Sequence, residues 1–179
     1  FRQQAHVRST EVETVLGMVR ADWDLKEALI NALEWGVAGY FDGKEQRLVL
    51  VSRPPAPDDP SGDDTIAHEL VHGLQHQHID LLSMSDRTWH STDALLAFQA
   101  LTEGDATWTA RAWSERIDLK DIAEARASGR TLPQWRPPRA IATMPVSRIL
   151  VENLLFPYRA GPVFVEALLN PRGQPGLDA

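Results

Sequence analysis

The spacing His68-Glu69-Leu70-Val71-His72 constrains this chain more than any other feature, because its chemistry requires a helix. At about 3.6 residues per turn the two histidines lie roughly 40° apart on one face, with Cβ atoms about 5–6 Å apart, so two imidazoles can converge on one ion. Glu69 is rotated roughly 100° from His68. It stands at the edge of that face, able to reach a water beside the ion rather than the ion itself. Two neutral imidazoles suit zinc, and the glutamate suits a proton carrier. The residue frequencies of this chain would yield only about 0.01 such matches by chance. On a surface helix the same residues would be two solvated histidines. Ile66, Leu70 and Leu74 flank them at helical spacing, which predicts a buried apolar seam beside the polar residues.

Composition excludes several alternatives. At 179 residues, 43% hydrophobic and 24% charged, the chain reads as one soluble globular domain with a real core. No apolar run approaches the roughly 20 residues that span a bilayer. The net charge is −7 and no basic stripe interrupts it, which argues against nucleic acid as a partner. Without cysteine there is neither a disulfide framework nor a thiolate metal site. The start at Phe1, with no signal-peptide pattern behind it, reads as a mature or trimmed piece. The compartment stays open, and an extracytoplasmic or secreted location is compatible with it.

Capping signals and periodicity divide the chain into three stretches. Residues 1–36 carry two helices, opened by the boxes Thr10-x-x-Glu13 and Asp24-x-x-Glu27, the first with Val12, Val15, Leu16 and Val19 on one face. Residues 37–115 begin with strands over 37–42 and 47–52 around a turn at 43–46. A proline-rich loop leads to the motif helix, which reads to about residue 82 with Asp63 and Asp64 in its first turn. A polar connection follows over 83–90. Ser91 or Thr92 then caps a helix to about residue 116, with Leu95, Phe98, Leu101, Trp108 and Ala112 inward. Residues 116–179 read as a short helix over 118–128, a proline-rich segment over 130–145, and two helices separated at Pro157. His76 reads as a solvated or cleft-wall residue and His78 as structural. Asp80 is placed to hold an imidazole.

Glu103 is the candidate third ligand. It precedes Gly104 inside the second long helix, where glycine costs about 1 kcal/mol relative to alanine. Close approach to another helix would justify that cost. If Gly104 presses against the motif helix, Glu103 reaches the ion, and His68, His72 and Glu103 leave a fourth position open for water. Asp105, about 200° away, does not face the same ion. Thr107, one turn on, is placed to support a ligand imidazole.

His68-Glu69-x-x-His72 followed by Glu103-Gly104-x-Ala106 resembles the gluzincin zinc metallopeptidases, as does the order strand, motif helix, glutamate helix. The longer run from His68 to Asp80, and the segment Tyr158-x-x-Gly161-x-x-Phe164-Val165, look like a little-characterised bacterial branch of that clan. The resemblance implies a zincin-like fold, with one Zn2+ held by His68, His72 and Glu103 and with Glu69 as the catalytic acid/base. It implies an edge strand at 48–52 that pairs with an extended peptide or protein substrate. Tyr158, with Arg159 behind it, is the candidate oxyanion stabiliser. The chain departs from the clan at Thr107, where other members have an aspartate. The related proteins continue past the point where this chain stops, which would remove part of the cleft wall.

The expected architecture is a single, mainly helical α+β domain with a small hairpin beside the motif helix. The expected activity is zinc-dependent hydrolysis of a peptide bond. The alternative is a zinc-bearing, peptidase-like binding module without turnover.

Overall fold

The computed structural model describes residues 17, 27, 30, 37–52, 62–116, 124 and 148–172. The loop over 53–61, the proline-rich segment over 130–145, and most of both the N-terminal helices and the 118–128 helix lie outside the described residues. The fold is mainly helical with one two-stranded antiparallel sheet. Its described elements are β1 (Gly39–Asp42), β2 (Arg47–Leu50), α1 (Gly62–Ile79), α2 (Leu81–Thr88), α3 (Thr92–Ser114) and α4 (Arg148–Arg172).

The chain divides into two compact units, Phe1–Val37 with Pro137–Leu155, and Ala38–Arg136 with Phe156–Ala179. In the first, Leu150 and Leu155 are buried on the opening turns of α4. Gly17 there adopts the left-handed φ of 70°, while Val12, Val15, Leu16 and Val19 of the expected helix lie outside the described residues. The second unit holds the sheet, α1, α2, α3 and the rest of α4.

The hairpin follows from local turn chemistry. Asp42 accepts hydrogen bonds from the amides of Lys44 (3.0 Å) and Glu45 (3.1 Å), and Gln46 takes a positive φ of 49°. Tyr40 pairs with Val49 and Asp42 with Arg47. The amide of Val51 donates to the carbonyl of Ala38, so the alternate residues Gly39 and Phe41 turn their backbone groups to the outer edge of β1. Both strands pack on α1.

The apolar seam expected along α1 is not there. Ile66, Leu70 and Leu74 are exposed, Leu70 and Leu74 by 57% and 56%, while Thr65, Glu69, Val71 and Gly73 are buried. The hairpin and α3 cover the faces that carry the functional residues. At Gly73 a side chain would meet the ring of Phe41 at 3.2 Å, which is how the hairpin comes close.

Three element boundaries also differ from expectation. The motif helix stops at Ile79, because Asp80 adopts left-handed φ and caps a new helix by accepting from the Ser83 amide at 3.3 Å. The stretch expected as a polar connection is therefore α2. α4 runs unbroken through Pro157 and Pro162, both buried, where a break at Pro157 was expected. An interior proline costs about 3 kcal/mol in an isolated helix, so burial on the rest of the fold carries it.

α3 begins where expected, with Ser91 accepting from the Ala94 amide at 3.3 Å. Its buried face is different. Thr102, Gly104, Ala106, Thr107 and Ala110 are buried, while Leu101 is exposed by 37%. Gly104 faces Gly161 of α4, and a Cβ on it would stand 2.6 Å from the Gly161 Cα. A Cβ on Gly161 would in turn stand 2.7 Å from the Gly104 Cα. The close approach expected of Gly104 is real, but its partner is α4 rather than the motif helix. A seam this narrow admits only small side chains, so the large apolar residues are displaced to its rims.

Candidate metal centre

α1 sets His68 and His72 one turn apart, with their rings edge to face at a centroid distance of 4.8 Å. Their Nε2 atoms are 3.1 Å apart. Glu103 enters from α3 and places Oε2 3.1 Å from His68 Nε2 and 3.4 Å from His72 Nε2. Four ligands placed tetrahedrally at 2.0–2.1 Å from zinc are separated by about 3.3 Å from one another. The three interatomic distances of 3.1, 3.1 and 3.4 Å therefore match the edges of one face of such a tetrahedron. Two imidazole nitrogens brought this close repel through their lone pairs unless a proton or a cation lies between them. Each of the three side chains keeps partial exposure, between 13% and 23%. Among the described residues this is the one group of histidines and acids with metal-binding geometry.

Gln75 supports the group from behind. Its Oε1 accepts from His72 Nδ1 at 2.9 Å, and its Nε2 donates to the Thr102 carbonyl at 3.0 Å and to Asp105 Oδ2 at 2.8 Å. Tyr158, on α4, lies beside the His68 ring at a centroid distance of 6.3 Å with planes 25° apart. Its hydroxyl donates to Glu103.

The other expected supports are placed differently. Thr107 is buried, and its hydroxyl has no hydrogen-bond partner, so it does not hold an imidazole. His76 is neither solvated nor part of the metal group. Its ring sits under the hairpin, 6.0 Å from the Phe41 ring and packed against Gly43. Asp80 Oδ1 lies 3.9 Å from His76 Nδ1, too far for a hydrogen bond, and serves α2 as its cap. His78 is exposed on the last turn of α1.

The electrostatics describe a site whose two histidines and glutamate are coupled through shared protons. Burial works against the charged form of Glu103, but hydrogen bonds from His68 and His72, and their charges, hold its carboxyl well below the usual range. Burial also opposes a charged His72. The hydrogen bond and charge of Glu103, then Gln75, outweigh it and push His72 up to about 9. Burial raises Glu69, helped by the charge of Glu103, while the two histidines and the Phe41 backbone amide pull the other way. That amide lies on the outer edge of β1. β1 is thus the strand that reaches Glu69. Burial, and then the charge of Glu103, raise Tyr158 well above its ordinary value.

Sequence reasoning missed Gln75 and Asp105. The signal was present in the spacing, since Gln75 falls three residues after His72 and so nearly one turn along the same face. Asp105 does point away from the ion, as its 200° rotation requires, but what it points at is the Gln75 amide.

No family model, curated protein or solved structure matches this chain. What the site can do follows from its own geometry.

Proposed function

We propose that this chain is a zinc-dependent peptidase of zincin-like, gluzincin type. The observation that supports it is the convergence of His68 Nε2, His72 Nε2 and Glu103 Oε2 at distances suited to one zinc ion, with buried Glu69 one residue from the first ligand. A bound zinc would supply a Lewis acid that polarises a carbonyl and lowers the pKa of a water toward 7. The raised pKa of Glu69 suits it to take that water's proton and pass it to the leaving amine. Tyr158, donating to Glu103 at rest, would turn its hydroxyl to the developing oxyanion, where one well-placed donor is worth about 2.7–4 kcal/mol. An extended peptide would lie along the outer edge of β1, the edge that faces Glu69.

Glu69→Gln tests this directly. The variant is expected to bind zinc as the parent does and to lose turnover by about 10²–10⁴-fold on a mixed peptide library read by mass spectrometry. Parent-level cleavage by Glu69→Gln would overturn the mechanism.

A second reading, a zinc-bearing binding module without turnover, is favoured by one observation. The hydroxyl of Tyr158 is engaged by Glu103, and the Phe41 amide by Glu69, so two groups that hydrolysis would use are already occupied. Peptide retention by the zinc-loaded chain, with no cleavage that depends on Glu69, would select it.

A further inference from the structure

Gln75 ligates nothing, yet its three polar contacts join a ligand ring to the helix that carries the third ligand. We infer that Gln75 and Asp105 form a clamp that presets the metal site. It fixes His72 in the tautomer able to ligate and pins the turn of α3 that presents Glu103. This rests on His68, His72 and Glu103 being metal ligands, and it does not depend on hydrolysis.

The bonding leaves the Gln75 amide one orientation. Both partners of its Nε2 are pure acceptors: the Thr102 carbonyl at 3.0 Å and the Asp105 carboxylate at 2.8 Å. A flipped amide would set its oxygen against two other oxygens. The Gln75 oxygen must therefore face His72 Nδ1, 2.9 Å away, and an oxygen of this kind can only accept. Nδ1 then carries the proton, and in the neutral ring the lone pair is on Nε2, the atom aimed at His68 Nε2 and Glu103. Asp105, without touching His72, decides which nitrogen of His72 is free. Its charge, relayed through the amide, also makes that nitrogen a stronger donor.

The same contacts act on the backbone. Thr102 and Asp105 stand on either side of Glu103 in sequence, and Gln75 ties both to α1. Asp105 is itself steadied by Thr109, whose hydroxyl donates to Oδ1 at 3.4 Å. α3 therefore cannot slide along α1 without breaking the bonds that hold the His72 ring.

The test is zinc affinity of the full chain, stripped and titrated against a chromogenic chelator, with thermal melting of each metal-free form as the folding control. Gln75→Leu is expected to bind zinc about 10–100-fold more weakly than the parent. Asp105→Asn keeps an oxygen that can accept from the amide and is expected to lose far less than Asp105→Leu. Gln75→Glu sets a second carboxylate against Asp105 and should weaken binding. The double variant Gln75→Glu/Asp105→Asn restores a donor to that contact and should recover it. A role in packing alone would not produce that recovery. In the zinc-loaded parent the ring proton on His72 Nδ1 should exchange slowly enough with water to give a proton NMR signal, and Gln75→Leu should lose it.

Gln75→Leu binding within about threefold of the parent, short of the losses typical of such supports, would overturn the clamp. So would a double variant no tighter than Gln75→Glu, which decides the matter if Gln75→Leu does not fold. A parent that binds no zinc at all would overturn the clamp together with the metal site. Parent and Gln75→Leu binding alike would overturn the clamp alone.

Discussion

At the scale of single residues, the site is a proton-bound arrangement that a metal ion would replace. In the metal-free protein His72 holds its proton more tightly folded than unfolded, since its value is raised from 6.5 to about 9. Its contribution to stability is therefore complete below pH 6.5 and is lost as pH rises through about 9. Glu103 has the opposite sign. Its depressed value gives stability that is present above pH 4.5 and lost as pH falls through the folded value. The denaturant midpoint of chelator-treated protein should accordingly be highest between pH 4.5 and 6.5 and should fall toward pH 9. A midpoint flat over the alkaline range would show that no proton is shared by the pair. Leu70 and Leu74 give a second expectation at this scale. Being exposed, each should tolerate alanine at a cost within about 0.5 kcal/mol, against roughly 2–5 kcal/mol for a buried leucine. Urea denaturation of the two variants distinguishes these. The motif histidines and Glu69 were legible because their spacing is a statement about one helix. The exposure of the leucines was not, because helical spacing locates a stripe without saying which neighbour covers it.

At the scale of elements, local chemistry was read correctly at the hairpin and at the start of α3 but missed at Asp80, whose cap opens α2, and chemistry between elements was not read. The hairpin was legible because Asp42 makes its turn from within four residues. The start of α3 was legible because Ser91 caps it. The continuity of α4 was not, because the rule that proline ends a helix is local, and Pro157 and Pro162 are held by burial. Gly104 lies between these cases. Its cost in a helix pointed to a close neighbour, but nothing in the sequence said that the neighbour would be Gly161. The two glycines bring the backbones of α3 and α4 together between Glu103 and Tyr158, which lies three residues before Gly161. Gly104→Ala gains about 1 kcal/mol in helix propensity but places a methyl 2.6 Å from the Gly161 Cα. Overpacking of that kind costs about 1–3 kcal/mol or more, so the variant should be destabilised in urea despite the better helix former. A more stable Gly104→Ala would mean that the two helices separate freely.

At the scale of the whole molecule, the described helices include none long and apolar enough to cross a membrane. The candidate ion takes two donors from α1 and one from α3, so it would fasten helices that α2 alone joins in sequence. Zinc at a hundred times its dissociation constant should then stabilise the fold by about 2.7 kcal/mol, or roughly 5–10 °C in melting temperature for a chain of this size. Chelator should remove the gain and His68→Ala should abolish it. A melting temperature indifferent to zinc would remove the metal from this account.

The seam between α3 and α4 has a consequence for how such a chain can vary. Where hydrogen atoms are the only substituents, nothing remains to trim, and every exchange thickens the joint. Neutral drift is thereby steered outward to Leu101, Trp113, Val163 and Phe164, all of them solvent-facing. The interval separating carboxylate from phenol would be inherited almost unaltered, guarded by two positions that have no side chain to lose.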